Sequence, residues 1–194
     1  MFGARIHGII SSGGQVPNTF PGEVTMEYMV RASTIPDMRK LSEQFDRAVL
    51  HCGQAFGGSV EILSFLSGLP LNNNDGLAEI AREGAAFLHP EIPFNYKTGH
   101  DYGCTDMGDV SQLMPALHLN VPGCDGPTLH RDAFKITTPQ AAYVENAELL
   151  ALMAVSLLSD GAARARKILD GYVPLMTRDE YRTLMRECQG VRKG

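Results

Sequence analysis

Six histidines, four cysteines and a scatter of carboxylates are the groups through which this chain could do chemistry, and their spacing decides which. The histidines are His7, His51, His89, His100, His118 and His130. None belongs to an H-x-x-x-H or H-E-x-x-H pair, the helical spacing that turns two imidazoles toward one metal ion. A catalytic zinc needs about three protein ligands and an open position for water, so the sequence holds no self-contained metal motif. Cys52, Cys104, Cys124 and Cys188 form no C-x-x-C pair, and buried or idle thiols are expected.

His130 is set apart by its context. It closes the Gly/Pro-rich run VPGCDGPTLH, after a strand expected at residues 113–121 and before a helix, and loops at strand ends commonly present catalytic groups. The segment GCTDMGDVS, with Gly103, Thr105, Asp106, Asp109 and Ser111, could offer backbone N–H groups to an anion. It lacks the Lys and spacing of a phosphate loop, and a turn leading into a capped helix is the plainer reading. Asn18 in a loop and Arg31 on the following strand could together suit a carboxylate, one by its amide and the other by its guanidinium fork. The bland alternative for Arg31 is a solvent-facing side chain.

These residues need elements to hold them. Residues 24–31, VTMEYMVR, alternate Val24, Met26, Tyr28 and Val30 against Thr25, Glu27, Met29 and Arg31, the pattern of a half-buried strand. Residues 4–11 form a second strand candidate, and the SSGGQVPNTFPG loop between them predicts an antiparallel pair. Ser33 or Thr34 can cap a helix with Pro36 in its first turn, carrying Met38, Leu41, Phe45, Val49, Cys52 and Phe56 at helical spacing up to Gly57. A strand at residues 59–66 completes a strand, strand, helix, strand unit of α+β type.

The NNNDG run at residues 72–76 marks a boundary and can cap a helix whose stripe is Leu77, Ile80, Ala81, Ala85 and Leu88. A long helix is expected at residues 139–158, with its apolar run 149–158 buried, and a capped helix at 177–188. The basic run ARARK after residue 162 fits a solvated helix end. The predicted division is residues 1–70 and 71–194.

Composition bounds the rest. With 44% hydrophobic and 20% charged residues the chain is expected to fold as a globular protein. A net charge of −5 offers no basic stripe, so nucleic acid is not an expected partner. The apolar run 149–158 is about half of the roughly 20 residues a membrane span needs, and no signal-like segment opens the chain, so a cytoplasmic protein is expected.

Taken together, ARIHGIISSGGQVPNTFPGEVTMEYMVRAS, GCTDMGDVSQLMPALH and PTLH before a helix resemble the M20 metallopeptidases, in particular their aminobenzoyl-glutamate hydrolase-like amidohydrolases. The resemblance spans about residues 4–160. It implies an α/β protein: a ferredoxin-like α+β lid or dimerisation domain, in part, followed by the later part of an α/β zinc-peptidase catalytic domain. His130 would be a metal ligand, Asn18 and Arg31 would contact the substrate carboxylate, and Gly103 and Thr105 would line the substrate pocket. His7 matches a histidine of the nearest subfamily but receives no role.

The departures shape the expectation equally. The family's other metal ligands, its bridging ligand and its general base have no counterpart, so no catalytic residue is assigned. A divalent metal, zinc by the family's pattern, is expected in an intact enzyme and not tightly in this chain alone. The expected partners are an N-acyl amino acid or small peptide, and either further copies of the chain or an absent N-terminal half. The alternative is a non-catalytic dimerisation or interaction module.

Overall fold

The computed structural model describes residues 3–94, 104–125 and 129–194. The protein mixes helices and strands, as an α/β chain should, and separates into two compact units. The first comprises residues 1–71, 100–109 and 176–194; the second comprises residues 72–99 and 110–175.

In the first unit, β1 (Arg5–Ser12) and β2 (Thr25–Arg31) pair antiparallel, with Ile6 opposite Val30, Gly8 opposite Tyr28 and Ile10 opposite Met26. This is the hairpin predicted from alternation. Its apolar face is less covered than a half-buried strand requires: Met26 and Tyr28 remain exposed, and Tyr28 finds cover mainly by stacking on Phe45, ring centroids 4.7 Å apart. A side chain at position 8 would collide with the Tyr28 ring, so this cross-strand site needs glycine.

Helix α1 (Ile35–Ala55) begins at Thr34, whose hydroxyl accepts the Asp37 N–H, and has Pro36 in its first turn where a missing N–H costs nothing. Its start packs in a small core of Ala32, Met38, Leu69 and Leu184. Its end does not: Cys52 and Phe56, placed on the predicted apolar stripe, are exposed. Strand β3 (Glu61–Ser64) is shorter than the predicted residues 59–66.

The second unit is built on α2 (Asp75–Leu88), capped by Asn74 Oδ1 accepting from the Leu77 N–H. Ile80 and Ala81 pack on Leu149 and Met153. The asparagine run does more than cap. Asn73 Oδ1 accepts the His118 N–H at 2.9 Å, and the Asn74 N–H donates to the Ala116 carbonyl at 2.8 Å. Helix α3 (Asp106–Leu113) crosses from one unit's residues to the other's.

After α3 the predicted strand at residues 113–121 does not form. Two-residue strands β4 (Cys124–Asp125) and β5 (Lys135–Ile136) pair instead. The backbone of residues 116–118 is already bonded to the asparagine run, which leaves no partner strand for a ladder.

The predicted long helix exists as a π-helical stretch, Gln140–Glu145, continuing into α4 (Asn146–Asp170). Backbone angles leave the helical region at residues 159–162, so the first segment does end near Leu158, and the basic run lies on a resumed segment. The apolar run is not buried as expected. Leu149 and Met153 face α2, while Leu150, Val155 and Leu158 are 56%, 63% and 69% exposed. Gln140–Asp170 is long and apolar enough by length and composition to cross a membrane, which the ten-residue run did not suggest. Arg164 on its resumed segment pairs with Glu83 of α2.

Back in the first unit, α5 (Arg178–Glu187) carries the predicted capping box, with Thr177 and Glu180 exchanging hydrogen bonds. It is followed by β6 (Gly190–Lys193), an unpredicted strand that pairs with β3. Both two-stranded ladders of this unit stop at two strands among the described residues.

Candidate functional site

Arg31 ends β2 directly opposite Arg5, so both guanidinium groups leave the same face of the hairpin. Two like charges across a ladder repel. Arg31 is half-buried, and its Nε is buried without a hydrogen-bond partner among the described residues, while Nη2 touches only the Met29 sulfur at 3.8 Å. A buried donor left unsatisfied costs on the order of 1–3 kcal/mol, and this atom is closed off from solvent. Asn18 lies in the exposed turn at the other end of the hairpin. Strand β2 alone is roughly 20 Å long at about 3.3 Å per residue, and the structure does not bring Asn18 and Arg31 together.

Thr105 stands at the start of α3, where its hydroxyl accepts the Met107 N–H at 2.9 Å and its carbonyl accepts the Gly108 N–H at 2.8 Å. These N–H groups close the turn on itself and do not point into an anion cradle. Gly103 lies outside the described residues. Asp109 ties elements of the first unit together, accepting from the Leu69 N–H at 3.4 Å and from the Tyr181 hydroxyl at 3.1 Å. Burial first, and then the Asp109 charge, push the Tyr181 phenol above its usual range. Ser111 and Gln112, fully enclosed in the second unit, accept from the Asn72 N–H, the Tyr172 hydroxyl and the Leu175 N–H.

His130 occupies an exposed turn between β4 and β5, a loop position as expected, but without the preceding strand at residues 113–121. Its φ of 64° is in the left-handed region, which few residues other than Gly adopt. Such strain is found at functional positions more often than by chance. Among the described residues no three His, Cys, Asp or Glu side chains gather as a metal-binding group. The four thiols are free, and none is fully buried.

Two polar clusters escaped the sequence reading. His89, the residue after α2, places Nδ1 3.3 Å from Glu91 and Nε2 3.0 Å from Glu145. The Glu145 hydrogen bond raises the His89 pKa above its usual value, partial burial opposes this, and Glu91 adds to it. Asp46, buried in the middle of α1, receives Arg192 Nη1 at 2.7 Å. No local pattern links positions so far apart in sequence.

A groove of about 390 Å³ in the second unit is lined by Asn74, Glu79, Arg164 and Lys167, with Ile80 and Ile168 beneath. It contains none of the predicted site residues. Its Arg164 is engaged in a two-point contact with Glu83.

Against these features stand the comparisons. The chain matches no protein-family model and no solved structure. It is 28% identical over 123 residues to the Xaa-Arg dipeptidase of Homo sapiens, and to the same degree to that of Mus musculus. Each match covers 59% of this chain and 27% of the relative, so the chain spans about a quarter of the length of the curated relatives it matches. The similarity supports a relationship to M20-type peptidases and does not reach the aminobenzoyl-glutamate hydrolase branch.

Proposed function

We propose that this chain is part of a metal-dependent amidohydrolase that cleaves amide bonds of N-acyl amino acids or small peptides and is inactive by itself. The observation that carries this reading is the 123-residue similarity to dipeptidases. Arg31 fits this reading by its chemistry, since a guanidinium is the group that pairs with the carboxylate such substrates carry. In this reading Arg31 grips the substrate carboxylate, and Gly103 and Thr105 line the pocket.

A divalent metal, zinc in this reading, would polarise the scissile carbonyl and activate water when bound. The described residues do not fit such an ion on their own, since no group of three donors forms. In this reading His130, exposed in its turn, is one ligand of a site whose remaining donors come from elsewhere. The test measures tight zinc and hydrolysis of acyl-glutamate and other acyl-amino acids by the chain alone. Near-stoichiometric metal with turnover would sink the claim of incompleteness.

A second reading, an association module, is favoured by the uncovered apolar side chains Leu150, Val155 and Leu158 along one side of α4. It predicts an oligomer in light scattering. A clean monomer would count against it.

A further inference from the structure

Strand β6 is held in place by contacts that the same strand from another copy could make, and we propose that the chain associates by exchanging it, residues 190–194 of one copy pairing with β3 of a second. All four β6 residues are exposed, so little buried side-chain surface ties the strand to its own chain. Its hold is directional. The ladder pairs Glu61 with Lys193 and Ser64 with Gly190, and Val60 and Gly194 exchange two backbone hydrogen bonds of 3.0 Å.

Two ion pairs set the register. Arg192 reaches Asp46 and Lys193 Nζ meets Glu61 Oε2, both at 2.7 Å. The Asp46 side chain is 9% exposed, and a charge so far removed from water needs a cation beside it. Asp46 and Glu61 thus define what the β3 edge accepts: an extended segment with consecutive basic residues, one for each face of the ladder. Residues 190–194 are that segment.

The link to α5 favours exchange. Cys188 caps the helix and only Gln189 stands before β6, its N–H already bonded to the Arg186 carbonyl. Short connections of this kind invite swapping of an identical element between copies. A lone two-stranded ladder is marginal in water, and Leu63 and Val191, opposite each other, stay 69% and 54% exposed in the single chain.

This proposal stands apart from the hydrolase reading and deepens the association reading. A wild-type oligomer without strand exchange would defeat the proposal while leaving that reading intact.

The test uses two full-length variants, Asp46→Arg and Arg192→Asp, with the double variant as folding control. Each single variant sets like charges at positions 46 and 192, so no copy can close well on itself or on its twin. In a one-to-one mixture each strand meets its opposite charge only in the other variant. The expected result is a heterodimer at twice the 21.1 kDa chain mass, enriched about tenfold over either homodimer by native mass spectrometry, as about 1.4 kcal/mol of recovered pairing would give. A mixture that behaves as the sum of its components overturns the proposal. If a single variant fails to fold alone, recovery of its circular dichroism on mixing supports the exchange and lack of recovery refutes it. A double variant that cannot fold refutes the latch itself.

Discussion

Gly108→Ala sets two physical effects of opposite sign against each other. Residue 108 lies in the first turns of α3, where alanine is a better helix former than glycine by about 1 kcal/mol at most. Propensity alone therefore predicts a more stable protein. The structure predicts the reverse: a Cβ at 108 would overlap the Leu69 carbonyl oxygen and lie 2.9 Å from its carbonyl carbon. Leu69 is completely buried, and its N–H is tied to Asp109, so the colliding atoms are backbone that cannot rotate aside. Overpacking costs roughly 1–3 kcal/mol, and a collision with fixed backbone belongs at the upper end. A net loss of about 2 kcal/mol follows, which with a urea slope of about 2 kcal/mol per molar moves the midpoint down by about 1 M. Urea unfolding followed by circular dichroism reads it. A midpoint equal to or above that of the wild type would refute the close approach of α3 to Leu69, and with it the placement of Thr105.

Other consequences can be checked in the same preparation. The His89 pKa is raised in the fold, so its contribution to stability is fully present below about pH 6.5, the ordinary value, and fades as pH rises through the higher folded value. His89→Gln should flatten that slope in thermal melts from acid to mildly alkaline pH, and an unchanged slope would argue against the Glu145 contact. Ile80→Ala, at a side chain 2% exposed in the second unit's core, should cost about 2–5 kcal/mol of stability by calorimetry. A loss below about 1 kcal/mol would mean that α2 and α4 pack more loosely than described. Arg31→Gln should weaken binding of an N-acyl amino acid by about tenfold or more, as loss of a charged hydrogen bond predicts. NMR titration that finds equal affinity would remove Arg31 from the site.

Local chemistry explains what was legible in the sequence. The β1–β2 hairpin followed from strict alternation around a Gly/Pro/Asn loop, and α1, α2 and α5 from capping residues at Ser33 or Thr34, at the end of the asparagine run and at Thr177; the hydrogen bonds select Thr34 and Asn74 from the first two sets. The helix after Thr105 followed from the same logic. What sequence could not give were the long-range pairings. Strand β6 is four residues with no apolar alternation, held by Asp46 and Glu61 from far up the chain. The strand expected at residues 113–121 lost to one side-chain and one backbone bond from the asparagine run. Burial of α4 was overestimated because periodicity marks an apolar face without saying what covers it, and Leu150 and Val155 are uncovered. For the site, residue types suggested Arg31 and His130, but only coordinates reveal an unpartnered Nε and a left-handed turn.

The central claim is that His130 belongs to a metal-dependent amidohydrolase site that the described residues of this chain do not complete. Measuring bound metal and acyl-amino acid hydrolysis together tests it most directly, first on the chain alone and then after adding a polypeptide supplying the missing donors and base. The chain alone is expected to show neither tight metal nor turnover, to gain both after the addition, and to lose that gain in His130→Ala. Near-stoichiometric metal with turnover by the chain alone, or a gain indifferent to His130→Ala, would contradict it.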